Sequence, residues 1–173
     1  MTEPVTIRTA RPDDTPRLRE LGITGWETTY SGFVLPHNRR AYLDGPFWSL
    51  ERLAAIVADP ACLALVADVD GAVAGFLTVE PTGAGQVELT RFYVDPAARR
   101  GGIGRRLLDA AIDAARAGGA RSMLVNVFAD NTIGRAFYER EGFQLLRLEP
   151  TTVGDQQVGD AWYERPLDPG PLV

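Results

Sequence analysis

The chain contains no lysine. All 18 of its basic residues are arginine, set against 23 acids, and the net charge is −5. A broad basic surface is therefore excluded, and with it the usual footing for nucleic-acid binding. Self-acetylation on lysine is excluded outright. Cysteine is almost as scarce: Cys62 stands alone, which rules out an internal disulfide and a cysteine-rich metal site. His37 is the one histidine, which removes multi-histidine metal centres and most Ser-His triads. No apolar run approaches the roughly 18 residues of a membrane span, and residues 1–14 lack an apolar leader core. The expectation is a soluble, cytoplasmic protein with no metal and with neither nucleic acid nor membrane as partner.

What is present suits one domain with a proper core: 173 residues, 45% hydrophobic and 24% charged. Residues 1–173 read as that single domain, with a core over about 5–165 and a loose tail over 166–173. Val5 to Arg8 reads as a strand, and a helix follows over about Thr15 to Thr24. Gly25 to Pro36 is less regular, and a second helix or helix pair spans about Asn38 to Asp59. Ala61 to Ala67 and Ala72 to Glu80 form a hairpin, and Gln86 to Val94 adds a third antiparallel strand. A helix from Ile103 to Ala117 then crosses over to a parallel strand, Arg121 to Val127. Asp130-Asn131 caps a last helix, with Asn131, Gly134 and Tyr138 on one face and Ile133 and Phe137 on the neighbouring core face. Phe143 to Leu148 and Ala161 to Arg165 close the sheet around a loop. The sum is an α/β chain with a mixed, mostly antiparallel sheet of six or seven strands and about four helices.

One stretch is chemically odd. Arg99-Arg100-Gly101-Gly102-Ile103-Gly104-Arg105-Arg106 opens the helix at Ile103, and no acid stands between Asp95 and Asp109. A helix start carries partial positive charge and unpaired N–H groups and normally prefers acids in its first turn. Glycines there let backbone approach something closely, and four arginines suit a polyanion. On the residues alone this is either a phosphate cradle or a Gly-rich turn with solvated arginines. A dinucleotide fingerprint fails, because Leu107 stands where its third glycine belongs. A P-loop fails for want of lysine.

Arg99-Arg100-Gly101-Gly102-Ile103-Gly104 resembles the R/Q-x-x-G-x-G/A acyl-CoA signature of the GNAT N-acetyltransferase superfamily, and it follows Phe92-Tyr93-Val94-Asp95-Pro96 as in that family. The likeness continues through Val125-Asn126-Val127, Asn131, Phe137-Tyr138-Glu139 and Glu141-Gly142-Phe143. The resemblance implies a GNAT-like fold with acetyl-CoA as donor co-substrate. It implies a binding set of Phe92, Tyr93, Val94, Arg99, Arg100, Gly101, Gly102, Ile103, Gly104, Arg105, Asn131 and Phe137. The pyrophosphate would lie on the backbone N–H groups from about Arg100 to Arg105, and the pantetheine arm would pair with Phe92 and Val94. Tyr138 would protonate the leaving thiolate, and Glu88 is the candidate base, with Glu80, Glu27 or a water chain as alternatives. On the residues alone, Tyr138 reads more readily as a half-buried phenol with its hydroxyl in water, and Glu88 reads equally as an acid on a solvated strand face.

The family's acceptor end falls on Trp26, Tyr30, Glu27 and Trp48, with Tyr163 opposite. Aromatic rings and an acid suit an ammonium with an apolar body, although such rings in helices also read as core. The implied reaction is direct acetyl transfer, in a ternary complex, to the primary amine of a small molecule. An N-terminal acetyltransferase acting on a protein or peptide, or a non-catalytic acyl-CoA-binding module, are the rival readings, and a homodimer is compatible with any of them.

Overall fold

Seven separate extended stretches join one sheet. A computed structural model describes residues 4–167. In chain order the elements are β1 (Val5–Thr9), α1 (Thr15–Tyr30), α2 (Pro36–Leu43), α3 (Leu50–Ala58), β2 (Leu63–Val69), β3 (Ala72–Gly83), β4 (Gln86–Val94), α4 (Ile103–Ala117), β5 (Ser122–Phe128), α5 (Thr132–Arg140), β6 (Gln144–Val153) and β7 (Gln156–Pro166). The strands lie in the order β1-β2-β3-β4-β5-β7-β6. Every neighbouring pair is antiparallel except β4–β5, which α4 joins as a parallel crossover. None of the described helices is long and apolar enough to cross a membrane.

Each face of the sheet has its own core. Ile103, Leu107, Leu108 and Ala111 of α4 bury against Leu77, Leu89, Met123 and Val125. Leu18, Leu21 and Trp26 of α1, with Leu43, Trp48 and Leu53, bury against Val66 and Phe76 on the other face. The α4 helix is amphipathic because its apolar residues recur at three- and four-residue spacing, so one stripe meets the sheet and Arg105, Asp109 and Asp113 stay outside.

Four expectations need correction. First, α1 does not stop at Thr24 but runs on to Tyr30. Glycine weakens a helix interior, which argued for an end there, but Gly22 and Gly25 are where two rings seat against the helix. A Cβ on Gly22 would stand 2.0 Å from the Trp48 ring, and one on Gly25 would stand 2.4 Å from Tyr93. Tertiary packing outweighs the propensity. Second, Pro150 to Gly159 is no loop: β6 and β7 are long strands joined at Gly154-Asp155, with Gly154 at φ +61. Third, the tail begins later, since Leu167 is 1% exposed and its N–H bonds the Arg121 carbonyl at 2.8 Å; residues 168–173 lie outside the described residues. Fourth, Ile133 is 85% exposed and faces away from the core.

The glycine packing has a measurable consequence. Gly22→Ala is expected to lower the unfolding free energy by about 1–3 kcal/mol through overpacking, against the usual benefit of alanine in a helix. Gly32→Ala, with nothing within 4 Å of its new Cβ, is expected to stay within about 0.5 kcal/mol. Urea titration of both variants decides; a stabilised Gly22→Ala would overturn the packing account.

Candidate active site

Strands β4 and β5 pair only from Gln86↔Ser122 to Leu89↔Val125. Beyond that point β4 continues on β3, and β5 continues on β7, so the sheet opens between them. The direction of the β4 backbone in this opening follows from alternation. Asp95 N–H bonds the Ala74 carbonyl at 2.8 Å, so Asp95 faces β3 and Tyr93, two residues back, does the same opposite Phe76. Phe92 and Val94 therefore direct their N–H and C=O groups away from β3, into the gap. A register shift next to Thr78 leaves Thr90 as an extra residue on β4. Because of this bulge Glu88 shares a face with Arg91 and Tyr93, towards α1, while Phe92 and Val94 point their side chains to the α4 face.

The start of α4 borders the same opening. Its N-cap, Gly102, has φ +68, and no side chain caps it among the described residues. The first helical bond runs from Arg106 N–H to the Gly102 carbonyl at 3.1 Å, so the N–H groups of Ile103, Gly104 and Arg105 precede it. A Cβ on Gly102 would meet nothing within 4 Å, and one on Gly104 would make ordinary contact with Phe92 at 3.6 Å. Protein packing thus does not demand glycine at 104. Space in front of three free N–H groups fits a pyrophosphate. The arginines divide. Arg105 is exposed and only loosely paired with Asp109 and Glu141 at 3.8 and 3.9 Å. Arg106 is tied to the Val5 carbonyl at 2.7 Å. The side chains of Arg99 and Arg100 lie outside the described residues.

Helix α5 closes the opening from the α4 face. Phe137 and Tyr138 pack on Phe92 at ring separations of 5.7 and 6.5 Å. Tyr138 is 7% exposed, and no group among the described residues hydrogen-bonds its hydroxyl. Burial, with a smaller contribution from Tyr30, pushes its phenol well above the ordinary value, so it holds its proton throughout the neutral range. Asn131 is the N-cap of α5: its Oδ1 accepts from Gly134 N–H at 2.9 Å, which leaves Nδ2 to donate, at present towards the Tyr30 hydroxyl at 3.5 Å. A Cβ on Gly134 would stand 2.5 Å from that Nδ2. The glycine makes room for the cap itself, and not directly for a ligand.

On the α1 face lies a cleft of about 260 Å³, lined by Trp26, Tyr30, Tyr42, Phe47, Tyr93, Phe128 and Trp162 with Glu88, Thr90 and Asn126. Burial first, and the charge of Glu80 second, raise the Glu88 carboxyl above its ordinary value. Glu80 lies directly across the strand pair from Glu88. It accepts from the Thr90 hydroxyl at 2.8 Å and from Arg91 Nη1 at 3.1 Å, and Arg52 pairs with its other oxygen. Arg91 is 2% exposed. Its Nη2 donates to the Phe47 carbonyl at 2.7 Å, and its guanidinium stacks 3.7 Å above the Phe47 ring. A buried cation thus pins one wall of the cleft, Phe47, to the strand that carries Glu88.

Of the expected acceptor residues, only Trp26 and Tyr30 line the cleft. Trp48 is fully buried behind Tyr93, on Gly22. Glu27 faces outward and pairs with Arg39 at 3.0 Å. Tyr163 points to the opposite side of the sheet, where its hydroxyl links Arg135 and Glu139, because successive strand residues alternate faces and Trp162 takes the cleft side. Tyr93 differs too: its backbone pairs with β3 and its ring lines the cleft, so it belongs to the acceptor side. Phe128 and Thr90 were not singled out from sequence; only the alternation of β5 with β7, and the bulge, place them here.

Arg91→Leu alone is expected to cost about 3–5 kcal/mol of stability, since it removes the buried one of the two cations that neutralise Glu80 and with it the stacking on Phe47. Arg91→Leu combined with Glu80→Gln is expected to cost less than Arg91→Leu alone. Denaturant unfolding of both single variants and of the double checks this; a loss in the double equal to the sum of the two single losses would mean that the two charges are not coupled.

Comparison with known proteins agrees with this geometry. A model of the acetyltransferase (GNAT) family matches residues 26–143. The mycothiol acetyltransferase of Clavibacter sepedonicus is 38% identical over 94 residues, 54% of this chain and 31% of that protein. The IAA acetyltransferase of Azospirillum brasilense is 38% identical over 88 residues, 50% of this chain and 58% of that one. The matched stretches thus span from about a third to somewhat over half the length of these relatives. The crystal structure of PaiA N-acetyltransferase from Thermoplasma acidophilum, in complex with coenzyme A, superposes with a TM-score of 0.81 at 25% identity, covering 94% of this chain and 99% of that one. The ribosomal-protein-S18-alanine N-acetyltransferase of Escherichia coli shares the fold, with a TM-score of 0.72 at 22% identity over 98% of this chain and 99% of that one. With its sheet opened between β4 and β5, a glycine-led helix at the mouth of the gap and a family match over about two thirds of its length, the chain belongs to the GNAT acetyltransferase family.

Proposed function

We propose that the protein transfers an acetyl group from acetyl-CoA to the primary amine of a small molecule, by direct attack within a ternary complex. The observation that carries this reading is that one opening in the sheet has unpaired backbone and Tyr138 on its α4 side and Glu88 with an aromatic cleft on its α1 side. The cleft volume of about 260 Å³ is at the small end for ligand sites, which favours a small acceptor over a peptide.

Acetyl-CoA supplies an activated thioester carbonyl. The chain's residues divide the remaining work. The N–H groups of Ile103, Gly104 and Arg105 hold the pyrophosphate, and Arg105 adds charge. Phe92 and Val94 offer strand-like backbone pairing to the pantetheine arm, Asn131 Nδ2 donates to it, and Val94 N–H faces the carbonyl oxygen. Glu88 takes a proton from the acceptor ammonium, because only the neutral amine attacks. Its raised affinity for protons brings it closer to a working base than an ordinary carboxylate. As the N–C bond forms the C–S bond breaks, and Tyr138 delivers a proton to the departing sulfur. The burial that makes this phenol a weak acid also destabilises a thiolate beside it, so the transfer depends on their difference.

Four variants test the reading, by thiol release from acetyl-CoA with a panel of amines and N-terminal peptides. Gly104→Ala is expected to keep or slightly raise stability while raising the Michaelis constant for acetyl-CoA about tenfold or more, because the new methyl, 3.6 Å from Phe92, adds bulk beside the first N–H groups of α4. An unchanged constant would remove the glycine from the binding account. Tyr138→Phe is expected to lower kcat by about 100-fold. Glu88→Gln is expected to lose a similar factor near neutrality and to recover as the pH nears that of free amine deprotonation. The acidic limb of kcat/KM should lie above the ordinary carboxylate range. Glu80→Gln, which removes the negative neighbour, should move that limb to lower pH; a shift upward would exclude Glu88 as the titrating base. Release stimulated by peptides alone would replace the small-molecule acceptor with a protein N-terminus.

A further inference from the structure

Tyr163 has no place in the cleft, yet its hydroxyl is fully engaged. It stands on β7 directly across from Val125, the residue of β5 at which pairing with β4 ends. Its side chain is 0% exposed, on the α4 side of the sheet. The hydroxyl accepts from Arg135 Nε at 2.8 Å and donates to Glu139 Oε1 at 2.7 Å. Arg135 and Glu139 are four residues apart on α5, so they share one helix face and meet on the same phenol. Arg135 Nη1 also donates to the Ala129 carbonyl at 3.2 Å, and Ala129 N–H bonds the Gly159 carbonyl at 2.7 Å. One side chain of β7 thus holds two successive turns of α5 and, through Arg135, the segment that leads into its cap, Asn131.

This helix depends on a polar anchor. It is nine residues long, and Tyr138 is its one buried residue. So short a helix is marginal by itself and must be held by tertiary contacts. On one side those contacts are Phe137 and Tyr138 against Phe92 of β4, and on the other they are the bonds to Tyr163 of β7. α5 therefore spans the fork in the sheet. The two contacts differ in kind. Packing on Phe92 is non-directional and adjoins the gap that takes the pantetheine arm. The bonds to Tyr163 join a charged donor and a charged acceptor through one hydroxyl, so they are strong and directional, and they lie away from the gap. Glu139 is the next residue after Tyr138, so a turn of the helix that breaks the Glu139 bond also carries the Tyr138 phenol away.

We propose that Tyr163 is a positioning residue for the reaction: its hydroxyl fixes the rotation of α5 and with it the distance from the Tyr138 hydroxyl to the departing sulfur. The assignment rests on the reading of Tyr138 as the acid. Tyr163 itself touches neither ligand. As the C–S bond breaks, the proton passes from the Tyr138 oxygen to the sulfur, a step that needs close approach of the two heavy atoms. A displacement of about 1 Å can cost up to 100-fold in such a step, which makes a rigid helix worth more here than elsewhere on the surface.

The test measures thiol release from acetyl-CoA, with the fastest amine of the panel, in Tyr163→Phe, Tyr138→Phe and the double variant. Tyr163→Phe keeps the ring and removes both bonds. It is expected to lower kcat about tenfold while the Michaelis constant for the amine stays within about twofold. In the Tyr138→Phe background the same change is expected to cost less than about twofold, because no phenol remains to be placed. A tenfold loss in both backgrounds, as a general weakening of the fold would give, or an unchanged kcat in Tyr163→Phe, would overturn the proposal while leaving acetyl transfer intact. Glu139→Gln keeps an oxygen for the hydroxyl and is expected to retain kcat within about threefold, whereas Glu139→Ala should follow Tyr163→Phe; equal rates in these two variants would also overturn it. Amide hydrogen exchange of residues 132–140 gives a readout without catalysis. Exchange about tenfold faster in Tyr163→Phe, with α4 unchanged, supports the clamp, and equal exchange rejects it. Should Tyr138→Phe keep the full rate, or no amine stimulate release, the acid or the transfer reading fails, and the exchange result alone decides whether Tyr163 holds α5.

Discussion

Four residue pairs hold β4 to β5, and the site depends on there being no more. A fully paired parallel ladder would satisfy the backbone of Phe92 and Val94 within the sheet and leave nothing for a ligand to bind. Ending the ladder at Leu89 exposes those groups at the middle of the molecule, where both flanking strands remain fixed on their outer sides by β3 and β7. The opening is therefore rigid on both edges, and polar groups that a sheet would normally consume remain free. The crossover helix α4 starts beside it, since a parallel connection must leave one strand and return to the next, and its free N–H groups arrive at the same place.

The two faces of this opening are built by different means. On one side, apolar packing of Phe92, Phe137, Tyr138 and Phe143 places a phenol in a nearly dry pocket. On the other, a buried charge network sets the geometry. Arg91 stacks on Phe47, bonds its carbonyl and pairs with Glu80, and Thr90 reaches the same carboxylate across the bulge. Removing either charge would leave the other poorly solvated, so the pair specifies one arrangement of wall and strand whatever its net contribution to stability. The bulge at Thr90 matters most. Without its extra residue Glu88 would share a face with Phe92 and point towards α4, and the carboxylate would lie on the donor side of the sheet.

Charge is distributed in keeping with two different ligands. Around the start of α4 the sequence has arginine and no acid, which suits a polyanion. On the cleft side Glu88 forms no ion pair among the described residues, while Arg52 and Arg91 are both paired with Glu80.

The fold and the donor side were legible in the sequence because they rest on local signals. Alternation marked the strands, three- and four-residue spacing marked α4, and the glycines and arginines at 99–106 with the block from Asn131 to Phe143 marked the donor site. The acceptor side was not legible, for reasons of geometry. Trp48 and Trp26 are alike in composition, and only the approach of α1, through Gly22 and Gly25, decides that one is core and the other lines the cleft. Tyr163 and Trp162 are neighbours in sequence, and a single step along β7 separates a core residue from a pocket residue. Glu27 is drawn off by Arg39, twelve residues on. By itself the sequence determined most of the element types, the sheet class and the glycine- and arginine-rich helix start, since each depends on residues close together in the chain. Only the tertiary structure decided which side chains share the cleft, because the bulge at Thr90, the register of β5 with β7 and the packing of α1 on β4 bring together residues more than a hundred positions apart.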